Sequence, residues 1–274
     1  TFTIGFKDSS LDESGYAYDV AKYLGVNNQV HMVNEDEVRE CVRLMPFIWD
    51  EPIADTSCIP MLSLSRLARK KVIGVLSADG ADELFLGYNK YFRLKTLLDF
   101  ANKLPFTRQM ASVLAQALRL ENSVAYPYKS LLNRNYFRKA GTVTSALSAP
   151  DIRSSLLGYQ NIFHDWEMDN LFEGDGSNSL IVASKDHVMN SQESAMRSTD
   201  FDTYLPENIL KKVDRATMAF GLEGRDPFLD YRIMNLAFSS QCSRTFRHGP
   251  KSLVKAAAHK LVPQSLLDRP KQGF

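Results

Sequence analysis

Apolar and polar residues alternate with two different periods along this chain, and the change of period divides it. Residues 1–6 alternate as a β-strand does, and residues 30–33 form a second short strand. Residues 14–24 carry apolar side chains at helical spacing and stop at Gly25. Asn34 reads as the N-cap of a helix over residues 35–48, whose first turn holds Glu35, Asp36 and Glu37, as the helix dipole favours. A third helix is expected over residues 61–71. The apolar run at 71–77 has strand length and the composition of a strand covered on both faces. Strands alternating with helices imply βαβ units and a parallel sheet, in which ligands bind beyond the carboxyl ends of the strands.

Past Tyr88 the period becomes helical, with helices expected over residues 94–104, 108–120 and 177–194 and a turn at 174–178. Residues 205–262 read as helical again, interrupted at Asp226-Pro227. The fold expected is therefore α/β, an incomplete parallel sheet over residues 1–92 followed by a mainly helical layer over 93–274 within one domain. The chain opens directly in strand alternation without Met and closes on Arg269-Pro270-Lys271-Gln272-Gly273-Phe274, so both ends are expected to be cuts in a longer protein.

Composition narrows the function classes. Apolar content is 44%, charged content 24% and net charge +1, which gives no footprint for a polyanion partner. The three cysteines (Cys41, Cys58, Cys242) are widely spaced and form no C-x-x-C pair, so neither zinc nor a disulfide framework is expected. No apolar run is long enough to span a bilayer, no signal peptide opens the chain, and a cytoplasmic location is expected. The five histidines lack metal-ligand spacing, and His31 is expected to be structural.

The chemistry concentrates in Ser77-Ala78-Asp79-Gly80-Ala81-Asp82-Glu83, which leaves the carboxyl end of the most apolar strand and opens a helix near Glu83. Small residues let a nucleotide approach the backbone, and N–H groups at the helix start can face phosphate oxygens. Three carboxylates beside a phosphate call for a divalent cation between them, which implies Mg²⁺ if a nucleotide binds here. Composition alone equally permits a solvated acidic turn that caps a helix.

Residues 75–88, VLSADGADELFLGY, resemble the asparagine synthetase version of this segment, VLSGDGADELFGGY. The segment 49–60 resembles that family's DEP-x-x-D-x-S-x-I-P, and Leu205-Pro206-Glu207-Asn208, residues 212–218, residues 221–230 (GLEGRDPFLD) and the closing Arg269-x-Lys271-x-x-Phe274 follow in the family's order. The resemblance implies a doubly wound parallel sheet of the adenine nucleotide alpha hydrolase (PP-loop ATPase) type. It implies ATP-dependent amidation of a carboxylate through an acyl-adenylate, with aspartate as default acceptor and ammonia from a glutaminase domain in the same parent chain. Carried over, Ile4 lines the adenine pocket, Ser77, Ala78 and Gly80 contact the nucleotide, Asp79 serves acyl-adenylate formation, Asp82 holds Mg²⁺, and Lys271 stabilises charge on the α-phosphate. Asp55, Ser57, Glu83, Lys212, Asp214 and Arg215 stand behind these as substrate contacts or supports. The family usually carries Gly at the positions of Ala78 and Leu86, and its S-G-G-x-D-S pyrophosphate loop precedes the strand that opens this chain. The piece alone is therefore expected to be inactive. A sugar-acid amidotransferase, a β-lactam synthetase-like enzyme, a non-catalytic nucleotide-binding relative and a homodimer all stay compatible with the sequence.

Overall fold

The computed structural model describes residues 1–8, 12–53, 55–124, 134–161, 191–240 and 246–268. By contacts the chain forms two units: residues 1–85, 204–240 and 251–274, and residues 86–203 with 241–250.

The first unit is the α/β one. Strand β1 (Phe2–Phe6) leads into α1 (Ser14–Tyr23), β2 (Gln29–Val33) and α2 (Glu35–Trp49), close to the expected bounds. Asn34 caps α2 as its sequence position predicts. Its side chain accepts from the Glu37 N–H at 3.0 Å while the Glu37 carboxylate reaches back to the Asn34 N–H, a capping box. Glu37 also holds the ring of His31 at 2.8 Å, which makes His31 structural. Helix α3 (Cys58–Arg69) starts three residues before the expected position and leads to β3 (Gly74–Leu76) and the short α4 (Ala81–Leu84).

The returning segment supplies a π-helix (Leu205–Leu210) continuous with α10 (Lys211–Met218), then strand β4 (Glu223–Arg225), a 3₁₀ turn (Pro227–Leu229), α11 (Tyr231–Ser239), α12 (Ser252–Ala258) and α13 (Gln264–Leu267). Strand β4 corrects the helical expectation for this region. It is short, exposed and built of Glu, Gly and Arg, so it has no apolar alternation to read. Among the described residues β1 pairs in parallel with β2, and β3 pairs in parallel with β4, as two separate two-stranded sheets. The expectation that β3 is covered on both faces fails: Ile73 is 74% and Leu76 75% exposed. The core of this unit lies where Cys41, Trp49, Cys58, Leu62 and Ala216 pack together, so α10 closes over α2 and α3.

The second unit is helical, with α5 (Asn89–Lys103), α6 (Thr107–Val124), α7 (Arg134–Ser148), α8 (Ile152–Gln160) and α9 (Gln192–Asp202). The expected turn at 174–178 and most of the expected helix 177–194 lie outside the described residues. Tyr91, Leu94, Leu98, Leu156 and Met196 form its core, and Phe92 stacks on Phe246 at 3.9 Å. A satisfied polar cluster sits inside it: fully buried Asp200 accepts from Tyr91, from Gln160 at 2.9 Å and from Lys90 at 2.6 Å. Such a cluster specifies how α5, α8 and α9 meet.

Leu86 is buried in this core at φ +52°, a left-handed conformation that costs a branched side chain about 1 kcal/mol or more. Glycine is the residue the resemblance expects there. Replacement by glycine ordinarily destabilises by about 1 kcal/mol relative to alanine, and here the order should invert. Leu86→Gly should unfold at a higher denaturant midpoint than Leu86→Ala, with both below the parent through loss of packing.

Candidate active site

Strand β3 runs into its loop beside the end of β4, because the Ser77 N–H donates to the Arg225 carbonyl at 2.9 Å. Helix α3 returns directly into β3 and α10 into β4, so the first residues of both helices lie on the carboxyl side of these strands. Three groups therefore share that edge: the turn from Ser77 to Asp82, Asp226 at the exit of β4, and the Asp55–Ser57 and Lys212 pair at the helix starts.

In the turn, the Ser77 hydroxyl donates to the Asp79 carboxylate, and Ala78 is exposed. Gly80 stands at φ +84°, and a Cβ built on it would meet Leu229 Cδ2 at 2.3 Å. Its glycine requirement is thus set by the turn and by the neighbouring 3₁₀ segment. The helix expected near Glu83 begins at Ala81 and is four residues long, so it offers less N-terminal dipole than a full helix. Glu83 is buried. Asp82 is partly exposed and paired at 3.0 Å with Lys251, which itself sits at φ +52° at the start of α12.

Asp226 was not singled out from the sequence. Its Oδ1 is buried with no hydrogen-bond partner among the described residues, and burial, then the charge of Asp79, pushes its carboxyl above the ordinary 3.8. Its one signal in the sequence is its place before Pro227; that it ends a strand is visible only once β4 is paired. Lys251 carries no signal either, since its role depends on a left-handed turn far along the chain.

The second group is tighter. Asp55 Oδ1 accepts the Ser57 N–H at 2.9 Å and the Ser57 hydroxyl at 2.5 Å. Its Oδ2 accepts from Lys212 Nζ at 2.9 Å and from Asn208 Nδ2 at 3.1 Å. Lys212 is only 7% exposed and also donates to Ser57 Oγ at 2.8 Å. The π-turn brings Asn208 and Lys212 to the same carboxylate, and such turns recur at functional sites. Burial works to raise the Asp55 carboxyl, but the hydrogen bonds from Ser57 and Lys212 and the lysine's charge outweigh it and hold it below 3.8. Burial and the neighbouring Asp55 push the Cys58 thiol up to about 11, which leaves it neutral and unsuited to nucleophilic work.

The remaining expected residues divide. Ile4 is half-buried in mid-strand, in register with His31. Asp214 and Arg215 are exposed on α10, and Arg215 pairs with Asp50 at 2.9 Å, which fastens the end of α2. Lys271 lies outside the described residues. Among these residues no group of three or more His, Cys, Asp or Glu side chains could hold a metal ion, and no helix is long and apolar enough to cross a membrane.

Parallel strands with a small acidic turn and a braced lysine at their carboxyl edge define an α/β protein with a candidate site at its strand ends. The family model described as "Asparagine synthase" matches residues 1–274, and the chain belongs to that family. It is 29% identical over 281 residues to "Asparagine synthetase [glutamine-hydrolyzing] 1" of Bacillus subtilis, covering 100% of this chain and 42% of that protein. It is 31% identical to a "Putative asparagine synthetase [glutamine-hydrolyzing]" of Mycobacterium tuberculosis, covering 100% of this chain and 40% of that protein. A third relative, from Methanocaldococcus jannaschii, is 32% identical over 223 residues, 80% of this chain and 39% of its own length. The chain thus spans about two-fifths of the curated relatives it matches.

The Asp55 carboxyl couples folding to pH. Its pKa is lower folded than unfolded, so its contribution is complete above the ordinary 3.8 and is lost as pH falls through the lowered native value. Urea midpoints between about pH 2 and 5 should show a shallower acid limb for Asp55→Asn than for the parent. At neutral pH the variant should be about 1–3 kcal/mol less stable.

Proposed function

We propose that this chain is the synthetase part of an enzyme that amidates a carboxylate with ATP through an acyl-adenylate, with aspartate the default acceptor. The observation that carries this reading is the Ser77–Asp79–Asp82 turn at the carboxyl end of β3, joined to membership of the asparagine synthase family. The relatives' names specify glutamine hydrolysis, and their greater length leaves room for a glutaminase domain that delivers ammonia within the parent chain. A cytoplasmic location suits this chemistry.

The two parallel pairs are read as parts of one doubly wound sheet of the PP-loop ATPase type. The exposed Ile73 and Leu76 support this, since a strand of that composition belongs in a covered position. Ile4 then lines the adenine pocket, and Ser77, Ala78 and Gly80 lie along the nucleotide. Asp79, oriented by the Ser77 hydroxyl, faces the centre at which the acyl-adenylate forms, and the role of stabilising charge that builds at the α-phosphate falls to Lys271.

Mg²⁺ fits the residues present as a shared ion. It takes oxygen ligands and commonly binds through one or two carboxylates together with substrate phosphates. Asp82 is a partly exposed carboxylate at the turn, and the unpartnered Oδ1 of Asp226 marks uncompensated negative charge on the same edge. Asp82 would hold the ion, which would supply countercharge to the phosphates. Lys251, 3.0 Å from Asp82, holds this carboxylate in place beforehand.

The test is pyrophosphate release by the full-length protein with ATP, assayed against aspartate and against uronic acids. Release with aspartate supports the reading, release with a uronic acid moves it to sugar-acid amidation, and no release with any carboxylate overturns it. Where release is seen, Lys271→Ala and Asp79→Asn should each lower it by roughly a hundredfold or more.

A further inference from the structure

We infer that Lys212 binds the carboxylate of the acceptor that does not react, and so helps to set which acceptors the enzyme takes. The inference rests on the synthetase reading above. Its basis is a count of donors and acceptors around one buried ammonium.

A carboxylate offers about four lone-pair positions. Those of Asp55 are all used: Oδ1 by the N–H and hydroxyl of Ser57, Oδ2 by Lys212 and Asn208. The Ser57 hydroxyl gives its proton to Asp55 and accepts from Lys212. Lys212 has three N–H donors and spends two, on Asp55 and Ser57. The third has no partner among the described residues, although the side chain is more than nine-tenths buried. An unmet donor on a buried charge is costly, and one placed at a strand-end site points to a ligand acceptor.

The surroundings narrow that acceptor. The Asp55 carboxylate balances the lysine charge, so the pair is neutral and offers one donor, poorly matched to a polyphosphate with several negative charges. A single carboxylate oxygen matches it. Lys212 is also fixed by Asp55 and Ser57, with Asn208 bracing Asp55, so it has little freedom to follow a reacting group. A carboxylate that is adenylated loses its charge, and a lysine fixed on it would favour the ground state over the transition state. A non-reacting carboxylate keeps its charge throughout, so the fixed lysine holds it equally well at every step.

The experiment uses the full-length protein and its Lys212→Met and Lys212→Arg variants. Pyrophosphate release is measured as a function of aspartate and of ATP, and binding of succinate, which has both carboxylates and no amine, is followed by calorimetry. Lys212→Met is expected to raise the aspartate KM by about ten- to hundredfold, to leave the ATP KM within about twofold, and to weaken succinate to a similar degree. Lys212→Arg, which keeps the charge beside Asp55, should fold as the parent does while still raising the aspartate KM. The inference is overturned if KM for aspartate and ATP move together with thermal stability, or if both variants bind succinate as the parent does, which would leave Lys212 a structural brace. Parent protein that releases no pyrophosphate with any carboxylate refutes the synthetase reading itself, a result distinct from selective loss or retention in the variants.

Discussion

The α/β unit depends on the ion pair between Lys212 and Asp55, which joins segments 157 residues apart in sequence. The unit is discontinuous: its first 85 residues are completed by chain that returns only after residues 86–203 of the helical unit. Beneath the pair, Cys58, Leu62 and Ala216 supply apolar contact, which is non-directional and would tolerate sliding of α10 along α3. The pair removes that freedom. A buried ion pair adds little net stability because both charges lose water, yet leaving one partner alone is expensive, so only the register that forms all of its bonds is acceptable. Fixing the start of α10 also fixes where β4 begins a few residues on, and hence which residue leaves the sheet beside Ser77.

This dependence explains which parts of the fold were legible. Helices α1 and α2 and strands β1 and β2 are local objects, each with its own period or cap, and Asn34 with Glu37 is readable from four letters of sequence. Strand β4 is not local. Glu223, Gly224 and Arg225 become a strand because β3 offers them a parallel edge, and neither propensity nor alternation marks them. Asp226 was invisible for the same reason, since its chemistry comes from the partner strand. In β3 the apolar run predicted cover that Ile73 and Leu76 do not have. Periodicity reports what a strand is suited to, whereas exposure reports what lies against it.

Two backbone positions show how the acidic segment is held between its neighbours. Gly80 must be glycine on both counts, its positive φ and the approach of Leu229, so its presence follows from packing before any ligand is considered. Leu86, six residues later, has the same handedness with a large side chain, and its burial in the helical unit's core offsets the strain. The sequence resemblance marked Gly80 as a match and Leu86 as a departure from glycine, without a reason for either. The first keeps the glycine because nothing larger fits; the second departs from it because a leucine there gains apolar contact.

The site's electrostatics separate into two halves of opposite design. Around the turn, Asp79 and Asp226 face each other with burial and mutual repulsion raising the latter's pKa, and Asp82 is held by the partly exposed Lys251. That half carries excess negative charge and a partly exposed cation, which on the synthetase reading suits a ligand that brings phosphates and a divalent ion. At Lys212 the charges cancel, every carboxylate lone pair is committed, and the cation is fixed. On the synthetase reading, a site that lets one product depart while keeping an acceptor in place needs both kinds of binding. Partly exposed pairing belongs where charge is exchanged during the reaction, and rigid neutral pairing where the ligand's charge stays constant.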